Sequence, residues 1–116
     1  MASNYVGPGD VIVVTADASY SAGDGVAIGQ LFGIALKDAG TGDDLPIQPV
    51  GVWDITKTSA QAWAVGDAIY WDDGNQVVTN VDSGIQVGVA VAVAANPSST
   101  GRVRLGLIMQ HAYASY

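Results

Sequence analysis

His111 is the only imidazole in this chain of 116 residues, so any general acid–base chemistry centred on histidine rests on it. A Ser/His/Asp set needs that ring fixed against a buried carboxylate and shielded from water. His111 instead sits beside Ala112 and Tyr113 in the C-terminal tail, which suits a surface or interface residue. No G-x-S-x-G elbow supplies a nucleophile. The carboxylate pairs Asp43/Asp44 and Asp72/Asp73 invite comparison with a glycosidase. The second pair, with Asn75, also resembles a weak surface Ca²⁺ site. An EF-hand loop closes on a glutamate, however, and this chain has none. Both pairs lie among turn-forming residues, and turn formation accounts for them. A P-loop requires a Gly-Lys step, which is absent, and after Gly23 and Gly25 the next glycine, Gly29, falls one place late for G-x-G-x-x-G. Trp53, Trp63, Tyr70 and Trp71 could stack on a sugar. Neighbouring strand positions point to opposite faces, so at most one of Tyr70 and Trp71 enters the core; we assign Trp71 to an interface. The chain reads as non-enzymatic, with no catalytic residues, no cofactor and no metal site.

Surfaces must then carry the function, and composition describes them. Hydrophobic residues make up 49% and charged residues only 13%, against about a quarter in ordinary domains. A surface so poor in charge calls for cover by another copy or by a partner; the alternative is an unusually Ala/Gly-rich monomer. All eleven acidic residues are aspartate, and there are fifteen glycines. Aspartate favours turns and caps, since its short carboxylate bonds nearby backbone N–H groups. The formal charge is −7, with Lys37, Lys57, Arg102 and Arg104 the only cations. Nucleic acid needs a basic stripe to neutralise phosphates, and none is present. An acidic exterior also argues against an anionic membrane surface, and no apolar run is long enough to span a bilayer. Without cysteine there are no disulfides or thiolate metal sites. The N-terminus lacks the basic and apolar regions of a signal peptide, so the expectation is a cytoplasmically made protein not exported by the usual route.

The elements follow from the turn signals. Gly7-Pro8-Gly9 leads into a strand over Asp10–Thr15, and SAGDG (residues 21–25) is a turn. Val26–Lys37 is broken by Gly29-Gln30 and Gly33, which predicts two short strands rather than a helix. AGTGDD (residues 39–44) is a loop. Pro46 and Pro49 predict an edge strand or the start of a strand before Val50–Trp53. Ala60–Val65 is the one place for a helical turn. In Asp67–Thr79, Asp73-Gly74 predicts a hairpin with a type I′ turn. Ile85–Ala94 alternates valine with glycine or alanine, placing Val87, Val89, Val91 and Val93 on one covered face. Arg102–Met109 is the last strand, with outward arginines. The expected fold is all-β: a small compact β-barrel or sandwich of about six to eight short strands with tight turns and little helix. Residues 1–9 form an N-terminal arm, 10–109 the single barrel domain and 110–116 a C-terminal tail.

The order of these segments resembles one family. NYVGPGDVIVVTA, GQLFGIAL, VGVWDITK, AVGDAIYWD, QVGVAVA and RVRL, spanning Asn4 to Leu105, are similar to the phage capsid cement, or head decoration, proteins. The motif residues are Leu31-Phe32-Gly33, Gly51-Val52, Gly66-Asp67, Tyr70-Trp71-Asp72 and Gly88-Val89. The family offers no catalytic residues to carry over. A recombinase-associated label borne by some members conflicts with this sequence, which has neither a Walker lysine nor a basic patch. The resemblance implies a homotrimer made in the host bacterial cytoplasm that binds the major capsid protein on the outside of an assembled head and stabilises it. It places the protein on the capsid surface of the virion, with no nucleic-acid or membrane partner. Ala2, Ser3, Asn4, Tyr5 and Val6 are the expected clamp, with Trp71, Arg102, Arg104, Tyr113 and Tyr116 as further capsid or subunit contacts. The alternative is another virion barrel, of tail or baseplate, or a carbohydrate-binding adhesion module.

Overall fold

Turns of one construction launch three of the strands. In Ser21–Asp24, Gly40–Asp43 and Ala64–Asp67 the first residue's N–H donates to the aspartate carboxylate, at 2.9, 3.0 and 2.9 Å. The aspartate N–H returns to the first residue's carbonyl at 3.0, 3.0 and 3.1 Å. The third residue is Gly23, Gly42 or Gly66, with φ of 93°, 90° and 95°. That is the positive φ a type II turn needs at its third position, which glycine adopts without a Cβ penalty. Gly9, ahead of Asp10, repeats the order with φ 79°. Local sequence thus sets where these three strands begin.

The computed structural model describes residue 4, residues 9–82 and residues 84–106. Its nine strands are β1 (Ile12–Thr15), β2 (Gly25–Ile28), β3 (Leu31–Ala35), β4 (Asp44–Gln48), β5 (Gly51–Thr56), β6 (Ala68–Asp72), β7 (Val77–Thr79), β8 (Gln86–Ala90) and β9 (Thr100–Leu105). All pairings between them are antiparallel, in a four-stranded sheet β1-β4-β3-β2 and a five-stranded sheet β5-β9-β8-β6-β7. The larger sheet closes on itself. Just past β5, Lys57 bridges Val78 of β7 in parallel, and Thr58 N–H donates to the Val78 carbonyl at 3.0 Å. Closure of this kind removes free strand edges.

Two apolar clusters hold the sheets. The barrel cluster contains Ile55, Trp63, Ile69, Trp71, Val78, Val87, Ala90, Val103 and Leu105, joined by Phe32 and Ile34 from β3. The second lies on the other face of the small sheet, with Val26, Ala35, Leu45 and Ile47. Because β3 feeds both, all its residues except half-buried Leu31 are buried. Glycine makes room where rings cross backbone: a Cβ on Gly101 would fall 2.6 and 2.7 Å from Trp63 ring atoms.

The all-β expectation holds, with nine strands in place of six to eight. Val26–Lys37 does form two strands, with Gly29 at φ 60° between them. Four details differ. Ala60–Val65 makes no helical turn, because Trp63 bridges Ala94 and seats its ring in the barrel. The β6–β7 hairpin has a four-residue loop closed by Asp72 opposite Val77, and the positive φ falls at Gln76 (56°) rather than at Asp73-Gly74. The Asp72 carboxylate captures the Asn75 N–H at 3.2 Å and so sets that longer loop. Pro46 lies between two strands rather than at an edge: β3 ends at Ala35, and Leu36 N–H donates to the Pro46 carbonyl at 3.0 Å where proline has no N–H to return. In β8 the valine alternation is broken by a bulge. Ile69 opposes Gly88 but Tyr70 opposes Gln86, so Val87 is an extra residue, and Val87 and Ala90 face the core while Val93 is 77% exposed.

Glycine substitutions separate the two roles. At Gly42 an added Cβ meets nothing within 4 Å, so Gly42→Ala measures the positive φ alone and lowers unfolding free energy by about 1 kcal/mol. Gly101→Ala forces Trp63 to move and lowers it by about 1–3 kcal/mol. Urea denaturation of both variants checks the difference.

Candidate interaction surfaces

Of the expected contact residues, Asn4 is exposed in a turn. Ala2, Ser3, Tyr5, Val6, Tyr113 and Tyr116 lie outside the described residues, as do His111 and the end of the predicted last strand. Trp71 is not an exposed ring: it is 4% exposed, packs on Phe32 with centroids 5.0 Å apart and donates its Nε1–H to Asp73 at 3.1 Å. Alternation along β6 turns Ile69 and Trp71 inward, leaving Tyr70 as the half-buried aromatic of the pair. Trp63 is buried too, and Trp53 is half-buried with Nε1–H bonded to the Val50 carbonyl at 3.0 Å. None of the three tryptophans offers an open stacking platform.

Arg102 and Arg104 project outward from β9, where every second residue is exposed. Arg104 stands opposite Val52 on one side and Val89 on the other, and Arg102 opposite Asp54. Arg102 grips the Asp54 carboxylate at 2.9 and 3.1 Å, which holds that carboxyl below its usual pKa. Both groups are about half exposed, so the pair adds little stability. Arg104 has no ion pair among the described residues. Val52 is 56% exposed on the same face, and a shallow depression beside Arg102 is lined by Asp54, Val93 and Thr100.

Lys57, by contrast, is buried. Its ammonium donates to the Thr58 carbonyl at 2.8 Å, with Ser98 and Ser59 carbonyls at 3.4 and 3.5 Å, and lies 5.7 Å from the Trp63 ring centroid. Burial pushes its pKa down. It ties the barrel closure to the loop before β9. No sequence pattern marked this lysine: the Thr58 and Ser59 carbonyls are its chain neighbours, but Ser98 and the Trp63 ring that complete its surroundings are brought in by the fold.

A cleft of about 540 Å³ separates the small sheet from the barrel, lined among others by Asp17, Tyr20, Asp24, Ile55, Trp71 and Asp73. The Tyr20 hydroxyl donates to Asp17 at 2.6 Å. Burial first, then that bond and the fields of Asp17, Asp73 and Asp24, push its pKa up to about 12. Asp72 and Asp73 are occupied within their turn: Asp72 accepts from Asn75, and Asp73 from Trp71 and Gln76. Among the described residues no group of three or more potential ligands is placed to hold a metal.

This fold is all-β, with two antiparallel sheets packed on each other. The chain belongs to the phage cement protein family, whose model matches residues 6–105. Among solved structures it is similar to the N base of the head fiber gp8.5 of bacteriophage phi29. The TM-score is 0.50 at 15% identity, covering 87% of this chain and 98% of that one. At that identity the likeness concerns the fold. No curated protein sequence matches.

Tyr20 gives the acidic cleft a direct signature. Tyrosinate absorbance of the wild type should include a step near pH 12 that Tyr20→Phe removes. A folded pKa raised above 10.0 contributes stability below pH 10 that is lost as pH rises toward 12. Alkaline melts of Tyr20→Phe therefore show a shallower decline over that window.

Proposed function

We propose that this protein decorates the outside of an assembled phage head as a homotrimer, binds the major capsid protein and stabilises the particle without catalysis. The observation that carries this reading is membership of the phage cement protein family across residues 6–105. Physical features support it. The described exterior offers large exposed apolar residues, Val13, Val52, Val65 and Val93, to partners. Most aspartates of the turns are engaged in local hydrogen bonds that organise strands. The barrel over residues 10–109 serves as a rigid body, with residues 1–9 and 110–116 as the arm and tail that reach the capsid. Terminal segments laid along a partner can cover much surface per residue. Ala2–Val6, Tyr113 and Tyr116 are the contacts assigned to them. The protein is made in the host cytoplasm and added from outside.

Purified protein mixed with heads that lack it should co-sediment saturably and raise the temperature at which the heads release DNA. Deleting residues 2–6 should weaken binding about tenfold or more while leaving the melting temperature of the free protein unchanged. Absence of co-sedimentation with heads at any stage of maturation contradicts the reading.

A further inference from the structure

We infer that the valine–arginine face of β5, β9 and β8 docks into the acidic cleft of a second copy of this chain. The inference rests on the self-association proposed above and names the two surfaces that meet. The face carries Val52, Val89 and Arg104 in one row and Asp54 and Arg102 in the next. Val52 is 56% exposed, and no group of the described chain neutralises Arg104. Exposed Val52, half-buried Val89 and an unpaired cation side by side suit a surface that a partner covers.

Charge selects the occupant. Of four cations, Lys57 is buried and two sit on this face. Arg102, Arg104 and Asp54 give the face a formal +1 in a chain of −7, so the rest of the molecule carries −8. Twofold pairing of this face with itself would set like-charged surfaces against each other. A heterologous contact sets the face against the acidic remainder of the next copy instead, and repeated contacts of that kind close into rings. The receiving surface is the cleft between the two sheets, where Asp17, Asp24 and Asp73 stand around Tyr20, Ile55 and an edge of Trp71. All three carboxylates line this one cleft, and Asp17 accepts the Tyr20 hydroxyl within it. A guanidinium suits such a site, because it bonds carboxylates in a fork.

Sedimentation velocity of the full chain over a range of concentration and salt tests this. Wild type should be oligomeric, and association should weaken as salt rises. Arg104→Glu should weaken association at least tenfold, Asp24→Lys/Asp73→Lys should do the same, and Arg104→Glu combined with Asp73→Arg should restore part of the loss. Val52→Lys gives a second probe of the face, with circular dichroism confirming that each variant is folded. If the single-face variants associate like wild type, the assigned surfaces are overturned while the self-association reading stands. If those variants stay oligomeric but lose capsid binding, the face meets the capsid and the inference is equally overturned. A wild type that is monomeric at every concentration refutes the self-association reading itself.

Discussion

Within the apolar cluster that joins the two sheets, one aromatic contact ties the core to the cleft and the β6–β7 hairpin. Trp71 reaches from β6 to Phe32 on β3, with ring centroids 5.0 Å apart at an interplanar angle of 50°. A tilted pair at that spacing adds attraction beyond simple burial. It requires an absence beside it: a Cβ at Gly25 would lie 2.7 and 2.8 Å from Trp71 ring atoms and 3.0 Å from Phe32. Position 25 is glycine because β2 passes directly over the rings. The same tryptophan walls the acidic cleft and bonds Asp73 in the β6–β7 loop. Core, cleft and hairpin are thereby one mechanical unit.

Aspartate supplies the second constraint. In most small domains carboxylates decorate the surface and keep it soluble. Here Asp24, Asp43, Asp67 and Asp72 are bound to backbone N–H groups three residues away, defining turns that start or join strands. Lys57 is likewise spent internally, on carbonyls at the barrel seam. What is left outside is a surface on which exposed valines stand among turn-bound but still charged aspartates. Exposed apolar residues of this kind fit a phage structural role, the role that membership of the phage cement protein family supports.

Much of this was legible in the sequence. All-aspartate acidity, fifteen glycines and valine alternation do specify short strands and tight turns. The outward arginines of β9 follow from simple alternation. The dipeptides Gly9-Asp10, Gly23-Asp24, Gly42-Asp43 and Gly66-Asp67 recur along the chain, but it is the structure that shows three of them sharing one hydrogen-bond pattern. Other features depend on partners distant in the chain. The bulge at Val87 reverses which residues of β8 face inward, and no local pattern announces it. Trp71 and Tyr70 are equivalent as a pair of neighbouring aromatics; a neighbouring strand bearing glycine at position 25 decides which is buried. The cleft and the buried lysine are assembled from separate segments, so single-sequence periodicity is silent about both.

The central claim is that this fold acts on the outside of a phage head. A reconstruction of the virion that encodes it tests that claim most directly. The account predicts density for a nine-stranded body of two packed sheets on the outer surface of the head, with repeated copies in contact. The same density at the tail or baseplate, or a head surface that carries none, would contradict it.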